Sequence, residues 1–336
     1  MARFVFPTVS VLNDRPLVLA QYDNDFERSH SDLAVALEAA NPGRVAVFLQ
    51  LGYEHEDPGL ADGLANAVKS FLKLCSYAEV TVLCNTPLEV NRFEERGVKA
   101  VFCHQNAFLD ESRYLLLPMP KAFDAVYLAR ITPVKRHLLL ESLSSPRLLL
   151  AGASELAHEH DYAEDVRERL KSSVLLPRFK GLDVSRLLCS SSCGLTLSPR
   201  EGANFAMAEY SLCGLPVVNT PSIGGRELLC PAEYRTDVSP DGTAIAAAIE
   251  QWVRNPPNPK AVRQAFLALA EPHREQLRGL IEAFAGFRPR RFPHKLGLRV
   301  PSSGPLREFA SRVYLKQMSL RARLHLLSVP RRGPCR

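Results

Sequence analysis

Two glutamates flank a predicted helix start within the stretch 198–220. Glu201 precedes this helix and Glu209 lies inside it, while Asn204 is a residue type that commonly caps a helix. A helix N-terminus offers free N–H groups and a positive dipole end to an anion such as a phosphate. Glu209 lies ~7 Å further along the axis at ~1.5 Å rise per residue, so one carboxylate faces each side of a bound diphosphate. This layout predicts a nucleotide-sugar site.

A second cluster supplies positive charge. Arg130 and Lys135 follow the apolar run 125–129 and precede a predicted helix that ends near Leu143. Arginine binds phosphate as a planar fork and lysine as a point charge, so two such cations in one loop can neutralise a diphosphate. For this loop alone, an ordinary solvated segment is the alternative, because most Lys and Arg side chains are exposed.

The elements that position these residues alternate between apolar runs and helical patterns, which predicts α/β layers with parallel sheets. Three strands are predicted before residue 104, at 45–50, 80–84 and 99–103. Later strands are predicted at 125–129, 147–151, 174–179, 193–197 and 216–220. Helices are predicted at 60–74, 88–96, 136–143, 155–171, 185–190, 205–213, 243–255 and 262–284.

The order of these motifs resembles the donor domain of family 4 glycosyltransferases, which have the GT-B fold. A strand leads into Arg-x4-Lys, and Glu-x7-Glu then leads through a helix into Gly-Leu-Pro-Val-Val. Between and after them, 148–152 resembles the family's next strand, 177–181 its loop beside the nucleotide base, and 219–227 its loop over the phosphates. The resemblance covers about 105–285. It implies two Rossmann-like domains facing a cleft, with a shortened N-terminal domain.

The resemblance also implies roles for individual residues. Arg130 and Lys135 would hold the diphosphate and stabilise the charge on the leaving nucleotide, an effect expected of preorganised cations. Glu201 would bind hydroxyls of the donor sugar, and Glu209 those of the ribose. The other donor-binding positions lie at the helix start and in the base loop: Gly202, Asn204, Phe205, Ala206, Phe179 and Gly181.

His55 is the catalytic candidate from the N-terminal half. The run 45–55 resembles the family strand that ends in a histidine facing the donor sugar. An imidazole there would bond the sugar or relay the acceptor proton. The alternative is a surface histidine among its three acidic neighbours, and His30 and His104 are weaker candidates for the same role.

The implied activity is metal-independent, retaining transfer of a hexose from a UDP- or GDP-sugar. The acceptor would be a hydroxyl on a glycan, a lipid-linked molecule or a small molecule. No cofactor is expected beside the nucleotide sugar, and no Asp-x-Asp triad stands in the chain to hold a metal.

Two motifs depart from the family pattern. The family has glycine where Asn204 stands, and it has Gly-Arg and Lys-Gly where this chain has Ala129-Arg130 and Lys135-Arg136. Asn204 and the short N-terminal half motivate a second hypothesis, a degenerate GT-B module that binds a sugar nucleotide or a protein partner without turnover. A sugar-nucleotide epimerase of related fold is a third option, which the Arg-x4-Lys and Glu-x7-Glu combination disfavours.

Composition bounds the remaining classes. At 336 residues and 46% hydrophobic content, the chain predicts two domains, placed at 1–104 and 105–287. It contains neither a recognisable signal peptide nor an apolar run near ~18 residues, which favours a cytoplasmic protein. Its cysteines form no Cys-x-x-Cys pair and lie mostly in apolar runs, so buried free thiols are expected.

The net charge of +6 is unevenly distributed. The tail 288–336 holds 13 Lys and Arg against one Glu, whereas the remaining residues hold 29 basic and 35 acidic side chains. A nucleic-acid-binding body is therefore disfavoured. The tail predicts contact with an acidic partner or with the anionic inner face of a membrane, and a merely solvated basic extension is the alternative.

Overall fold

A computed structural model describes residues 9–41, 43–143, 147–152, 160–176, 182–293 and 296. Its first sheet has five strands in chain order, with β1 antiparallel to β2 and the others parallel. The strands are β1 Val9–Asp14, β2 Leu17–Tyr22, β3 Val45–Gln50, β4 Ala78–Cys84 and β5 Ala100–Phe102. The accompanying helices are α1 Asp23–Ala40, α2 Pro58–Leu74 and α3 Pro87–Glu94.

The sequence analysis missed the first three of these elements. β1 and β2 form a hairpin, and α1 packs against α2, so the first unit has two strands and one helix more than predicted. α1 escaped detection because its first half, from Asp23 to Asp32, is almost entirely polar. β1 ends in Asn13 and Asp14, which are residue types that strands disfavour.

The second sheet has six parallel strands in the order β11-β10-β9-β6-β7-β8. They are β6 Phe123–Leu128, β7 Leu148–Ala151, β8 Val174–Leu176, β9 Ser191–Thr196, β10 Val217–Asn219 and β11 Arg235–Asp237. The helices are α4 His160–Arg169, α5 Leu182–Cys189, α6 Phe205–Leu212, α7 Gly242–Arg254 and α8 Pro259–Ala285. Buried parallel strands form continuous apolar runs, and the sequence therefore predicts β6 to β10. It does not predict β11, which is a short polar strand at the sheet edge.

α8, the last helix of the described residues, packs against both sheets. Leu277 of α8 belongs to the same buried cluster as Val18 and Phe48 of the first sheet. Arg274 of the same helix donates to the carbonyl of Ala107 at 2.6 Å, which fixes the segment between the sheets. The division after residue 104 stays a prediction.

One predicted helix is wrong. Instead of a helix over 136–143, two 3₁₀ turns occur at Pro133–Lys135 and His137–Leu140. Arg136 separates them with a φ of 53°, a left-handed conformation that an α-helix does not contain.

The structure also bears on the cysteines, on membrane-spanning helices and on the basic tail. The seven described cysteines are buried free thiols, as predicted. Within the described ranges, no helix has both the length and the apolar character needed to cross a bilayer. Of the basic tail, 288–293 and 296 are described, and Arg288 pairs with Glu282 at 2.8 Å; the rest lies outside the described residues.

Candidate functional site

Three of the residues predicted to bind the donor lie at the point where the strand order of the second sheet reverses. From β6 the chain proceeds outward to β7 and β8, and it then returns to place β9 on the other side of β6. In open parallel sheets, ligands bind outside the carboxyl ends of strands at such a switch point. Arg130 and Lys135 follow β6, and Glu201 follows β9, so the topology brings these three residues to one place.

Glu201 is the centre of this cluster. Its Oε1 accepts a hydrogen bond from the Lys135 ammonium. Its Oε2 accepts from the Ser198 hydroxyl and, at 2.8 Å, from Nδ2 of Asn204, and it lies 3.4 Å from a nitrogen of Arg226. Two cations and two neutral donors therefore hold one carboxylate at the switch point.

The two predicted phosphate cations have different surroundings. Burial lowers the pKa of Lys135 to about 7, and the nearby Arg226 and Arg130 add to the effect. Arg130 is exposed, and within the described part of the chain it forms no ion pair. The Arg130 side chain is thus exposed to solvent, whereas Lys135 is engaged with Glu201.

Two further polar atoms of the same loop are buried without a partner. Neither Oγ1 of Thr132 nor Nδ1 of His137 forms a hydrogen bond within the described ranges. Buried polar groups are ordinarily hydrogen-bonded, and exceptions often mark a place where a ligand or water binds. These atoms border Lys135 along the chain, which supports a ligand site at this loop.

Arg226 is a site residue to which the sequence analysis assigned no role. It is fully buried at 0% exposure and reaches both Glu201 and the carboxyl ends of β9 and β10. Its one sequence signal is its position directly after the Gly224-Gly225 pair, in the loop that resembles the family's phosphate loop. Burial lowers the pKa of Arg226 to about 10, so the guanidinium is charged at neutral pH.

Asn204 caps α6 as predicted. Its Oδ1 accepts a hydrogen bond from the Ala206 N–H at 2.9 Å, and Phe205, the first helical residue, is half-buried. Asn204 has a φ of 51°, and Arg136 has a φ of 53°. Of the three positions at which the family pattern has glycine, Asn204 and Arg136 thus have left-handed backbone, a conformation that glycine adopts freely and asparagine tolerates.

Glu209 has a partner that the sequence did not indicate. The Tyr114 hydroxyl donates to its Oε1 at 2.8 Å, and both side chains are buried. Burial and the adjacent carboxylate raise the pKa of Tyr114. Tyr114 lies in the segment 104–120, whose irregular pattern contains no signal for such a contact.

His55 forms no described hydrogen bond with Lys135 or Glu201. Its Nδ1 lies 3.2 Å from the Tyr53 carbonyl and its Nε2 lies 3.7 Å from a carboxylate oxygen of Asp23, both in the first unit. It is buried rather than exposed, and burial lowers its pKa. Its role in catalysis stays a prediction.

The two weaker histidine candidates differ in position. His104 is fully buried and its Nε2 lies 3.1 Å from the carbonyl of Gly225, in the loop that carries Arg226. His30 lies on α1, with Nδ1 3.1 Å from the Glu27 carbonyl of the same helix. His104 is thus the candidate that contacts the second unit directly.

Glycines allow the loops of the two units to approach closely. A Cβ on Gly202 would lie 3.1 Å from the carbonyl oxygen of Gly52. Gly225 has a φ of 78°, and a Cβ there would lie 2.8 Å from the carbonyl oxygen of Asn85. The predicted donor-binding Gly202 therefore lies against the first unit, at the junction of the two.

Two predicted base-loop residues, Phe179 and Gly181, lie outside the described residues. Among the side chains that the structure does describe, no group of three or more His, Cys, Asp or Glu residues is arranged to hold a metal ion.

Solved structures similar to this chain are glycosyltransferases of low sequence identity. HepE of Anabaena, in complex with UDP, superposes with a TM-score of 0.54 at 14% identity, over 80% of this chain and 79% of that one. A trehalose-6-phosphate synthase gives a TM-score of 0.55 at 12% identity, over 80% and 79%. A glycosyltransferase from Rickettsia africae gives 0.53 at 14% identity, over 79% and 83%.

These similarities show that the chain has the α/β GT-B fold, as predicted. No protein-family model matches the chain, and no curated protein sequence matches it.

Proposed function

We propose that this protein is a glycosyltransferase that moves a hexose from a UDP- or GDP-sugar to a hydroxyl group. The acceptor would be a glycan, a lipid-linked molecule or a small molecule. The observation that carries the proposal is Glu201 held between Lys135 and Arg226 at the switch point of a GT-B fold. HepE, which shares the fold, has been crystallised with UDP and glucose, and this favours a hexosyl donor.

The cations and the helix start would stabilise the leaving nucleotide diphosphate. Arg130 is exposed to solvent, and Lys135 would turn from Glu201 to a phosphate oxygen. The start of α6, which Asn204 caps, adds the positive end of a helix dipole. Because preorganised donors of this kind stabilise developing negative charge, the reaction needs no metal ion.

The carboxylates would bind the two sugars of the donor. Glu201 would accept from hydroxyls of the transferred hexose, and Glu209, held by Tyr114, would accept from the ribose hydroxyls. The related trehalose-6-phosphate synthase is described as an enzyme of glycosyl transfer with retention, and we assign the same stereochemical course here.

Assay of purified protein with a panel of UDP-, GDP-, ADP- and dTDP-sugars tests the proposal. Donor binding is measured by calorimetry, and transfer or hydrolysis by release of the nucleoside diphosphate. We expect one donor to bind and turn over, and Glu201→Gln to lower turnover by about 10²–10³-fold, as removal of a group that stabilises the transition state does. Glu250→Gln, on the exposed surface of α7, is the matched control.

Two outcomes would reject this function. A protein that binds no sugar nucleotide cannot be such an enzyme. A protein that binds a donor without transferring or hydrolysing it would be the degenerate GT-B module instead.

The predicted contact of the tail 288–336 with membranes is tested separately, by co-sedimentation with anionic and neutral vesicles.

A further inference from the structure

Arg226 is held in place by an unusually complete set of hydrogen bonds. Its Nε donates to Asn219, one terminal nitrogen to the backbone and hydroxyl of Ser198, and the other to the carbonyls of Thr196 and Thr220, at distances of 2.6–3.0 Å. These acceptors belong to the carboxyl ends of β9 and β10 and to the residues that follow. The guanidinium is thus fixed to the sheet itself.

Lys135, the other cation on Glu201, is held much less firmly. Its ammonium has one described acceptor, Oε1 of Glu201, and it lies on a short 3₁₀ turn with its side chain 16% exposed. A lysine carries its charge on a flexible four-carbon stem, whereas the arginine fork is rigid. Of the two cations, Lys135 is the one that can move.

We propose that Arg226 is a positioning residue, the fixed counterion of Glu201 that allows Lys135 to leave that carboxylate for the donor's phosphates. The inference rests on the proposed function. When a diphosphate enters, Lys135 exchanges Oε1 of Glu201 for a phosphate oxygen. Arg226, Ser198 and Asn204 stay on Oε2, so Glu201 keeps its charge and its orientation while Oε1 turns to a sugar hydroxyl.

Charge balance is the physical reason why Arg226 stays on Glu201 while Lys135 moves to the phosphates. A largely buried carboxylate that loses its only counterion is strongly destabilised, and it tends to take up a proton or to hold its partner. With Arg226 in place, Glu201 retains a cation after Lys135 has left. Without Arg226, Glu201 would retain Lys135, and the donor's phosphates would lose a ligand.

A double-mutant cycle on donor affinity tests the inference. The dissociation constant of the preferred UDP- or GDP-sugar is measured for the full-length protein, Arg226→Gln, Glu201→Gln and the double variant. We expect Arg226→Gln to weaken donor binding by about 30-fold in the wild-type background and by less than about threefold in Glu201→Gln, since coupling is lost when one partner is already neutral. Equal weakening in both backgrounds would overturn the inference.

Ser198→Ala and Thr196→Val provide a second test in which Arg226 stays in place. Ser198→Ala removes the hydroxyl that links Arg226 to Glu201. Thr196→Val removes a hydroxyl that donates to Asn219, the acceptor of the Arg226 Nε, and that forms no described hydrogen bond with Glu201. Both are expected to lower the melting temperature, but Ser198→Ala alone should weaken donor binding, by about three- to tenfold. If Ser198→Ala and Thr196→Val change donor binding equally, Arg226 contributes only to the stability of the fold.

The outcomes also separate this inference from the proposed function. If the wild-type protein binds no sugar nucleotide, the proposed function fails, and the inference fails with it. If it binds and transfers a sugar but the cycle shows no coupling, the inference alone fails.

Discussion

The Lys135 ammonium contacts Oε1 of Glu201, so the residue assigned to the phosphates binds the residue assigned to the sugar. The pair lies beside Arg226 and near Arg130, and burial with these two cations lowers the pKa of Lys135 to about 7. The Lys135 charge that would bind a diphosphate is therefore full only below about pH 7 and is lost as the pH rises above it.

This pKa predicts the pH dependence of donor use. Because the free enzyme needs the Lys135 ammonium, kcat/KM for the donor should fall above about pH 7, by up to tenfold per pH unit. Lys135→Arg keeps its charge to much higher pH, so its profile should lack this limb, even at a lower absolute rate. Profiles from pH 5.5 to 9.5 measure the effect. The assignment is wrong if both proteins show the same limb.

Glu89 predicts a pH dependence of stability. It is fully buried and accepts backbone N–H bonds from His55 at 2.8 Å, Asn85 at 2.7 Å and Thr86 at 3.1 Å, so it ties together two loops of the first unit. Burial raises its pKa from 4.5 to about 7 despite these bonds. Between these values the folded state binds more protons than the unfolded state, so the free energy of unfolding falls as pH rises.

Glu89→Gln removes this titration. Wild-type protein should lose up to about 3 kcal/mol of unfolding free energy from Glu89 between pH 4.5 and 7, and the variant should show a correspondingly flatter profile. Urea denaturation at half-unit pH intervals measures both. Parallel profiles would show that folding leaves the pKa of Glu89 unchanged.

The sequence predicted the donor half of the fold well because its signals are local. Buried parallel strands are continuous apolar runs, and the Asn204 cap and the glycine after α6 are short-range features. In the first unit, the polar residues of α1 hid an amphipathic helix whose apolar face includes Phe26, Leu33 and Leu37.

The residues that complete the candidate site could not be predicted in this way. Arg226 and Tyr114 act through tertiary contacts, and Tyr114 lies 95 positions before its partner Glu209 in the chain. Nothing in the spacing of a basic or aromatic residue indicates which carboxylate it will contact. Topology supplies that information, because the switch between β6 and β9 decides which loops meet.

Tyr114 is expected to affect donor affinity rather than turnover. Tyr114→Phe removes the hydroxyl that donates to Glu209 at 2.8 Å. A hydrogen bond to a charged group contributes about 1.5–3 kcal/mol, so KM for the donor should rise roughly 10-fold or more with kcat little changed.

A 2′-deoxyribose donor provides the control for this prediction. The wild-type protein should bind it less tightly than the ribose donor, because Glu209 loses a hydroxyl partner. Tyr114→Phe should discriminate less between the two donors. If Tyr114→Phe discriminates between the two donors as strongly as the wild-type protein does, Glu209 does not bind the ribose.

The left-handed backbone at Asn204 and Arg136 predicts a contrast between two glycine variants. Arg136→Gly should raise the free energy of unfolding by about 0.5 kcal/mol, because glycine adopts a φ of 53° without the Cβ strain, whereas Arg136→Ala should leave it unchanged. Asn204→Gly relieves the same strain but loses the cap on Ala206, so its stability should change little.

Asn204→Ala isolates the cap. It retains the strained φ of 51° and removes the side-chain oxygen, so it should lower the free energy of unfolding by about 1–2 kcal/mol. Both Asn204 variants lose the 2.8 Å bond from Nδ2 to Glu201, so both should weaken donor binding although only one is destabilised. Denaturant titration and calorimetry on the same preparations separate the two effects. If donor affinity instead follows stability across the four variants, Asn204 acts on the site through the helix cap and not through Glu201.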